Sequence, residues 1–469
     1  MPDDSPTAPE VSPAAPTTPG HGISFRAALK VWLKIATNSF GGPAGQIAVM
    51  HRVLVEEKRW IGESRFLHAL NYCMLLPGPE AQQLVTYMGW LLHRTAGGLA
   101  AGALFVLPGF LSILALSLVY TGCQDVKAVE ALFYGLKPAV LAVVLEAVLR
   151  IGRRALKNRV RWLLAGAAFI AIFFADIPFP FIVVGAGMIG LLDGRLWRAS
   201  FFGPAEAKAV AGEAGVIDRW LDAAHPEHTR PSFLRAVRVA GVCLSLWFIP
   251  LLLLGIALGS ANVFVQEGIF FSKTAVVTFG GAYSVLAYIA QQAVDVYGWL
   301  RPGEMLDGLG MAETTPGPLI QVVQFVGYLG AWRQPGALPP WLAGVLASIL
   351  VTWVTYVPCF LWIFLGAPYI EALRSQRALG AALAAITAAV VGVILNLAVW
   401  FSLHALFARV EEQHRYGLRL IVPDVHSLDP VSLILAAAAI LAMLRFKTGM
   451  LVTLGASAVA GLIWRLGAG

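Results

Sequence analysis

The chain has 469 residues, of which 58% are hydrophobic and only 13% are charged, whereas soluble domains carry about 25% charged residues. Several apolar runs exceed the roughly 20 residues that cross a bilayer, so the composition excludes a soluble globular protein and indicates a polytopic membrane protein. The net charge of +7 comes from loop arginines that orient the membrane segments, and it does not indicate nucleic-acid binding.

Residues 1–22 hold six prolines and no apolar core. This composition predicts a disordered tail and differs from the basic start and apolar run of a signal peptide. Four short amphipathic segments follow, and they are predicted at 22–40, 46–60, 63–76 and 80–93. The first two flank Gly41-Gly42-Pro43, and the second two flank Pro77-Gly78-Pro79. Half-length helices that meet at such a break are typical of re-entrant hairpins, in which protein or a wet cavity surrounds the non-helical backbone.

Conventional spans follow the breaks, and the charge of their loops predicts their orientation. These spans are predicted at 98–120, 130–149, 162–175 and 179–192. The loop 150–161 carries six basic residues and no acid, which places it in the cytoplasm by the positive-inside rule. The polar segment 193–236 comes two spans later, so it is predicted to be cytoplasmic as well, as a partly helical linker.

The landmarks of the first breaks recur 239 residues further along the chain, without a gap. The matched pairs are Lys34 and Lys273, Phe40 and Phe279, Gly41 and Gly280, Gly42 and Gly281, Trp60 and Trp299, Pro77 and Pro316, Gly78 and Gly317, Pro79 and Pro318, and Gln82 and Gln321. A constant offset over so many landmarks indicates an internal duplication. The match is incomplete, because Pro43 of the first copy is replaced by Ala282 in the second.

The span predicted at 237–258 has no counterpart in the first copy. One unmatched crossing inverts everything after it, so the second copy is predicted to lie upside down. Loop charge agrees, because 51–65 has four basic and three acidic residues, whereas its counterpart 291–304 has one base and two acids. Further spans are predicted at 341–365, 378–403, 431–444 and 449–464, with the loop 404–430 outside. Duplicated, oppositely oriented halves with broken helices are typical of secondary transporters.

The predicted fold is an all-α polytopic membrane protein with two homologous halves in inverted orientation. Each half has two re-entrant helical hairpins and about four spanning helices, and an extra span joins the halves. The predicted divisions are a disordered tail (1–22), an N-terminal transporter repeat (23–193), a cytoplasmic linker (194–236), a connecting span (237–260) and a C-terminal transporter repeat (261–469).

The Gly/Pro breaks predict an anion site. A break frees backbone N–H groups and points the positive end of a helix dipole into the protein, a geometry that binds anions. The repeated lysines lie nearly two turns before each Phe-Gly-Gly and add positive charge. The predicted anion-binding residues are Lys34, Asn38, Ser39, Gly41, Gly42, Pro77, Gly78, Gln82, Lys273, Thr278, Gly280, Gly281, Thr314, Thr315, Gly317 and Gln321. The alternative is that the glycines only allow close packing and the lysines snorkel to the interface.

Three acidic residues are candidates for proton coupling, because a buried carboxylate can carry a proton during transport. Glu80 directly follows the first Pro-Gly-Pro, and Glu313 lies just before the second. Glu146 lies within a predicted span, close to the basic loop. The sequence leaves open whether Glu80 only caps its half-helix, and for Glu146 a structural role is the preferred interpretation.

The sequence lacks the motifs of catalysis and cofactor binding. Its four cysteines, Cys73, Cys123, Cys243 and Cys359, are scattered singly, a spacing that predicts neither a disulfide framework nor a zinc site. His225-Pro-Glu-His228 lies in the polar linker without further ligands. Nothing resembles a Ser-His-Asp set, a phosphate loop or a nicotinamide fingerprint. We therefore expect no enzymatic activity, no metal and no cofactor, and we expect an ion gradient or exchange rather than ATP to drive transport.

Two sets of motifs carry a family resemblance. In the first half they are Ser39-Phe40-Gly41-Gly42-Pro43, Glu57-Lys58-Arg59-Trp60, Leu76-Pro77-Gly78-Pro79 and Leu107-Pro108-Gly109-Phe110, and in the second half they are Thr278-Phe279-Gly280-Gly281 and Thr315-Pro316-Gly317-Pro318. Together they resemble the chromate ion transporters over about residues 24–465, as a long two-domain member. The resemblance implies a multi-pass protein of the bacterial inner membrane that exports chromate and confers resistance, with sulfate as a close structural analogue.

The leading functional hypothesis is a secondary transporter of a tetrahedral oxyanion, with chromate efflux as the expected reaction. Three alternatives stay open: sulfate uptake or exchange through the same site, a passive anion channel, and a membrane enzyme acting on a lipid substrate. Such an enzyme should show clustered acids or histidines at an interface, and the sequence shows neither. The expected partners are the oxyanion and the lipid bilayer, without nucleic acid, and formation of a homodimer stays open.

Overall fold

The computed structural model of the protein describes residues 21–40, 42–74, 76–123, 126–196, 215–224, 226–279, 282–369, 377–415 and 418–467. Most of the predicted tail and part of the linker lie outside these ranges. Seven helices of the described residues are long and apolar enough to cross a membrane, which confirms the predicted polytopic membrane protein. They are Glu80–Gly122, Lys127–Arg153, Phe179–Leu196, Phe233–Leu258, Pro340–Tyr369, Gly380–Leu406 and Met450–Gly467.

Helices form in the order that the sequence predicts. The helices of the first half are α1 (Phe25–Thr37), α2 (Gly42–His51), α3 (Glu63–Cys73), α4 (Glu80–Gly122), α5 (Lys127–Ala155), α6 (Arg159–Phe173) and α7 (Phe179–Leu196). The backbone of α4 leaves helical geometry at His93 and Arg94, so α4 consists of a short arm and a long helix. Helix α8 (Val216–Ala224) lies within the predicted linker, and α9 (Phe233–Leu258) covers most of the predicted connecting span.

The second half repeats the helix pattern of the first. Its helices are α10 (Val263–Val277), α11 (Tyr283–Gln291), α12 (Glu304–Thr314), α13 (Val322–Arg333), α14 (Pro340–Gly366), α15 (Arg377–Leu406), α16 (Pro430–Leu444) and α17 (Met450–Gly467). A 3₁₀ turn at Leu319–Gln321 leads into α13. The arm and the long helix that α4 combines are therefore two separate helices here, α13 and α14.

The two copies share local structure as well as helix order. A π-helical turn follows both α2 and α11. The Lys58 N–H donates to the Val53 carbonyl in the first copy, at 3.0 Å, and the Tyr297 N–H donates to the Gln292 carbonyl in the second, at 2.9 Å. Ring pairs recur too, with centroids 6.2 and 5.9 Å apart: Trp32 with Trp60, and Phe271 with Trp299. Each of these contacts maps onto its counterpart by the offset of 239.

Two of the predicted spans, 162–175 and 431–444, form helices that are short for a membrane crossing. Helices α6 and α16 each have 15 residues, which corresponds to about 22 Å of helix, whereas the hydrocarbon core is about 30 Å thick. Polar caps set where they begin: Asn158 accepts the Arg161 N–H before α6, and Asp429 accepts the N–H groups of Val431 and Ser432 before α16. The two short helices occupy equivalent places in the two halves.

The halves interlock rather than lie side by side. The long helix α5 packs against α16 and α17 of the other half, and α15 packs in the same way against α6 and α7. Small residues bring these helices together: a Cβ on Gly135 of α5 would lie 2.8 Å from the Gly461 Cα of α17, and a Cβ on Gly190 of α7 would lie 2.5 Å from the Ala382 Cα of α15. Close approach at small residues is characteristic of helix packing in membranes.

The described part of the linker docks on the first repeat. The N–H groups of Val216 and Ile217 donate to the carbonyls of Arg59 and Trp60, at 3.1 and 2.8 Å. The buried Asp218 carboxylate accepts the Gly62 and Gly215 N–H groups and pairs with Arg65 Nε at 2.6 Å. The predicted partly helical linker is therefore, over 215–224, a segment held by specific contacts.

The loop 404–430 contains a β-hairpin, so the fold is not helical throughout. Strands β1 (Val410–Arg415) and β2 (Leu418–Pro423) pair antiparallel. Arg419 of β2 is 2% exposed, and its N–H donates to the Phe174 carbonyl at 2.7 Å. Its guanidinium donates to the carbonyls of Ile172 and Phe173. The hairpin thus satisfies carbonyls at the end of α6 that have no partner within the helix.

Candidate functional site

The non-helical breaks meet across the two halves. The Gly78 N–H donates to the Thr278 carbonyl at 2.7 Å, and the Gly317 N–H donates to the Ser39 carbonyl at 3.0 Å. Thr278 and Gly317 are the repeat counterparts of Ser39 and Gly78, so the second bond is the first with the halves exchanged. Each Pro-Gly-Pro break therefore lies against the Phe-Gly-Gly break of the other half.

The Pro-Gly-Pro glycines are required by both conformation and space. Gly78 and Gly317 have φ of +119° and +110°, a region that favours glycine. A Cβ on Gly78 would lie 2.7 Å from the Cys359 Sγ of α14, and a Cβ on Gly317 would lie 3.1 Å from the Gly109 Cα of α4. Each break is thus wedged against the long helix of the other half.

Two glutamines that the sequence-based prediction missed bind carbonyl groups of the breaks. The Gln46 side-chain amide donates to the Gly317 carbonyl at 2.5 Å, and the Gln83 amide donates to the Pro77 carbonyl at 2.7 Å. Both side chains are buried. Their repeat counterparts are Val285 and Val322, so the constant offset could not reveal them. Both glutamines could have been found from the sequence, because each is a polar residue within about one helical turn of a break.

The predicted hydroxyl donors already donate within the protein. The Ser39 and Thr278 hydroxyls donate to the carbonyls of Ile35 and Thr274 one turn back, at 2.6 and 2.5 Å. Thr314 and Thr315 do the same with carbonyls of α12, and the Asn38 amide donates to the Lys34 carbonyl. These side chains stabilise the helix ends beside the breaks, and their oxygens remain available only as acceptors.

The repeated glutamines lie in the interior on both sides. Gln82 and Gln321 are 0% and 2% exposed. The Gln82 amide donates to Thr86 Oγ1 at 3.1 Å, and the Gln321 amide donates to Gln324 Oε1 at 2.5 Å and to Thr352 Oγ1 at 3.1 Å. The Oε1 atom of each has no hydrogen-bond partner among the described residues. Both breaks are therefore followed by an amide with unused hydrogen-bonding capacity.

Two of the three candidate acids are buried beside the breaks. Glu80 and Glu313 are 7% and 1% exposed, and the Oε2 atom of each lacks a hydrogen-bond partner within the described ranges. The Tyr283 hydroxyl donates to the other oxygen of Glu313. Glu313 Oε2 lies 3.9 Å from where a Cβ of Gly42 would stand, so this acid of the second half faces the first break of the first half.

Glu146, the third candidate, has a different environment. It pairs with Arg150 one turn further along α5, with 2.5 Å between the Arg150 Nη2 and Glu146 Oε2 atoms, and both side chains are about one-third exposed. An ion pair of this kind contributes little to stability and is common on helix surfaces. The arrangement matches the structural interpretation that the sequence favours for Glu146.

The repeated lysines lie toward the outside of their helices. The Lys34 side chain is half exposed, and its ammonium lies 2.6 Å from the Glu57 carboxylate. The hydrogen bond from Lys34 lowers the pKa of the Glu57 carboxyl below its usual value. Lys273 is exposed on α10. The contact of Lys34 with Glu57 does not involve a break.

The remaining residues of the predicted anion site lie at the breaks or outside the described residues. Pro77 is buried, and Gly42 begins α2 with φ of +68°. Gly41, Gly280 and Gly281 lie outside the described residues. Half-helices α2, α4 and α11 and the turn before α13 all begin at a break. The site therefore gathers helix N-termini, buried amides and two buried carboxyl groups where the halves meet, an arrangement that can bind a small anion together with protons.

Comparison with known proteins identifies relatives over most of the chain. The sequence model of a family described as "Chromate transporter" matches residues 27–191 and 265–462. These two regions leave out the linker and α9. No solved structure matches the chain.

Curated relatives carry names from the same family. A chromate transport protein of Pseudomonas aeruginosa is 32% identical, over 77% of this chain and 77% of its own length. A chromate transport protein of Cupriavidus metallidurans is 26% identical, over 84% of this chain and 87% of its own. A probable chromate transport protein of Synechococcus elongatus is 25% identical, over 80% and 84%.

Proposed function

Because the chain belongs to the chromate transporter family, we propose that it is a secondary transporter that moves chromate out of the cell across the bacterial inner membrane. Membership of this family and the seven apolar helices make it a multi-pass membrane protein for ion transport. The proposal adds three points to this: the ion is chromate, it moves out of the cell, and the membrane is the bacterial inner membrane.

The observation that carries the proposal is the reciprocal contact of the breaks. Two equivalent backbone hydrogen bonds join Gly78 to Thr278 and Gly317 to Ser39, which is what a two-fold relation between the halves produces. Transporters with inverted repeats bind their substrates at such a junction of broken helices. A dianion there can accept hydrogen bonds from backbone N–H groups at helix N-termini without requiring an arginine cluster.

We propose that the two repeats are inverted and that the broken arms are re-entrant hairpins. The family regions 27–191 and 265–462 support the division into repeats 23–193 and 261–469, with a cytoplasmic linker (194–236) and a connecting span (237–260) between them. Among the described residues between the regions, only α9 is long and apolar enough to cross a membrane. This supports the inversion, because one extra crossing exchanges the two sides. The asymmetry of loop charge supports it as well.

The contacts of the two long polar segments agree with this topology. The linker residues 215–224 contact the loop 59–65 of the first repeat, and both segments are cytoplasmic in the proposal. The hairpin in the loop 404–430 contacts the end of α6, and both are periplasmic. No crossing of the membrane separates either pair, so the contacts and the assigned sides are compatible.

Glu80 and Glu313 are the proposed proton-coupling residues of the break region. Each is buried, and each has one oxygen without a partner among the described residues. A carboxyl group beside a bound dianion can take up a proton when the anion arrives and release it when the anion leaves. Proton binding of this kind would link the membrane gradient to transport without ATP.

The test is uptake of radiolabelled chromate into inside-out vesicles that contain the protein. We expect uptake above that of vesicles carrying a Gly78→Leu variant at the same protein level, because the leucine side chain would fill the break. Uptake should fall when the membrane potential is collapsed, because a dianion that moves with one proton still carries one net negative charge, and a tenfold excess of sulfate should compete only weakly. Uptake equal to that of the Gly78→Leu control would contradict the proposal.

Two further outcomes would redirect the assignment. Preferred transport of sulfate would make the protein a sulfate transporter that uses the same site. Chromate flux that follows only its own gradient and never accumulates would indicate a passive channel. No feature of the described residues favours either alternative over chromate transport.

A further inference from the structure

A second buried carboxyl group lies away from the breaks, on α10. Glu267 is 0% exposed, and neither of its two carboxyl oxygens has a hydrogen-bond partner among the described residues. Acidic residues are almost never buried in this way unless they are paired. Inside a membrane protein such a residue is a functional candidate.

Two glycines make room for the Glu267 carboxyl group. A Cβ on Gly330 of α13 would lie 2.5 Å from Glu267 Oε1, and a Cβ on Gly327 would lie 3.3 Å from Oε2. The buried Trp299 ring borders the same space, because the Gly330 Cβ would also lie 2.9 Å from its Cγ. The indole N–H of Trp299 likewise has no partner within the described ranges. We refer to Glu267, Trp299, Gly327 and Gly330 as the Glu267 niche.

The first repeat fills the equivalent space with hydrocarbon. The counterparts of Glu267, Gly327 and Gly330 at the offset of 239 are Ala28, Met88 and Leu91. All three are buried in one hydrophobic cluster. The first copy thus combines a small residue on its first arm, Ala28, with two large residues on its second. The second copy combines a long acidic residue on its first arm, Glu267, with two glycines on its second. The fold of the repeat does not require an acid here, so the acid points to a function.

The niche fits a proton better than a metal cation. The carboxyl group offers only two acceptor oxygens and the indole N–H is a donor, whereas a hard cation takes six or more oxygen ligands. The remaining wall is apolar, with Val351 of α14 2.6 Å from where a Cβ of Gly327 would lie. An ionised carboxylate without a partner is very costly in such surroundings, whereas the protonated acid is neutral.

No neighbouring charge offsets the carboxyl group. Helices α9, α11, α13 and α14 pack against α10, and their titratable residues are Arg235, Arg238, Cys243, Tyr283, Tyr288, Tyr328, Arg333, Tyr356 and Cys359. Neither carboxyl oxygen of Glu267 hydrogen-bonds to any of them. Arg333 instead pairs with Glu304 at 2.6 Å, and the Tyr328 hydroxyl lies 3.2 Å from Thr121 Oγ1.

We propose that Glu267 is a proton-binding site that couples proton movement to anion transport, separate from the acids at the breaks. The inference rests on the proposed function as a transporter. Glu267 lies on the arm before the break at 278–281, and the two glycines lie on the arm after the break at 315–318. The protonated acid keeps these arms packed together. Loss of the proton leaves a carboxylate that must reach water, and this separates the arms and moves both breaks.

The test uses purified protein in liposomes with a trapped pH-sensitive dye, and it measures chromate-driven proton movement beside chromate–chromate exchange. For Glu267→Gln, a permanent mimic of the protonated acid, we expect proton movement per chromate to fall at least tenfold, while exchange remains measurable. Glu130→Gln, at an exposed acid of α5, is the matched control and should behave as the parent.

A second variant tests whether a loss of coupling in Glu267→Gln results from misfolding. The triple change Glu267→Ala, Gly327→Met and Gly330→Leu installs the residues of the first repeat, and it should fold and lose proton coupling in the same way. A carbodiimide, which modifies protonated carboxyl groups in apolar surroundings, gives a readout on the unmodified chain. We expect mass spectrometry to find the label on Glu267 and to find less label as the pH rises.

The outcomes separate this inference from the proposed function. A parent protein that exchanges no chromate would overturn the proposed function itself. A parent that exchanges chromate but moves no protons, or that requires a sodium gradient, would overturn the coupling roles of Glu267, Glu80 and Glu313 and would leave chromate transport itself in place. Proton movement at the parental level in Glu267→Gln or in the triple variant would overturn only the role of Glu267.

Discussion

The ammonium group of Lys34 illustrates how a single contact changes the expected role of a residue. The repeat places Lys34 and Lys273 at matched positions, and the sequence offers two interpretations, direct contact with the anion or snorkelling to the membrane interface. In the structure Lys34 is half exposed and pairs with Glu57 at 2.6 Å, and Glu57 has no basic or acidic counterpart in the second copy, where Val296 stands. The two lysines therefore do not share one environment.

For Lys34→Met we expect chromate affinity to change less than threefold, because the Lys34 ammonium is exposed and pairs with Glu57, and exposed ion pairs are weakened by water and salt. Binding of labelled chromate to purified protein, with thermal stability as a control, measures this. Glu57→Gln is the matched variant and should have an equally small effect. A loss of affinity of tenfold or more in Lys34→Met, with unchanged stability, would instead support direct contact between Lys34 and the anion.

At the scale of elements, the Pro-Gly-Pro breaks depend on two glycines in a left-handed conformation. For Gly78→Ala and Gly317→Ala we expect at least a tenfold loss of chromate transport, because a side chain at φ above +100° adds about 1–3 kcal/mol of strain and also meets the opposing helix. Uptake into inside-out vesicles, normalised to the amount of protein, is the measurement.

A control and a rescue separate strain from collision at the break. Gly185→Ala in α7 should transport normally, because a Cβ there would meet no described atom within 4 Å. Adding Cys359→Ala to Gly78→Ala removes the Sγ atom that the new Cβ would meet, and the other close atom, Gln83 Nε2 at 2.9 Å, is the end of a flexible side chain. We expect no rescue because the backbone strain remains. Normal transport by Gly78→Ala alone would show that the break tolerates a side chain.

The β-hairpin depends on one buried guanidinium. For Arg419→Met we expect a loss of about 3 kcal/mol of stability, because carbonyls at the end of α6 lose their partners and Asp176 loses its ion pair. The melting temperature in detergent measures this. Arg409→Met, at an exposed arginine of the same loop, should melt as the parent does. Equal melting temperatures for both variants would mean that the hairpin does not stabilise α6.

At the scale of the whole molecule, the proposed topology predicts the side of the membrane on which each loop lies. We expect a cysteine at Asn158 to be protected from an impermeant thiol reagent added to intact cells, and a cysteine at Val425 to be labelled. Both positions are exposed, and the background lacks the four native cysteines. Labelling of both from outside, or of Asn158 alone, would refute the proposed orientation.

Short-range chemistry made much of the protein predictable from its sequence. Hydropathy alone indicates the apolar helices, and Gly/Pro breaks are visible because they act on their own backbone. The offset of 239 identifies equivalent residues, and their local hydrogen bonds and ring pairs indeed recur. The family motifs are equally local, since each lies within a few consecutive residues.

The tertiary structure decided what depends on residues far apart in the chain. That Gly78 meets Thr278, that Gln46 reaches Gly317 and that Glu267 lies in a space left by Gly330 follow from helix packing. Composition does not encode these contacts, because any buried polar group needs a partner and the sequence does not say which element supplies it. The hydroxyls of Ser39 and Thr278 show the same limit: their chemistry suits an anion, and the geometry directs their protons to carbonyls of their own helices.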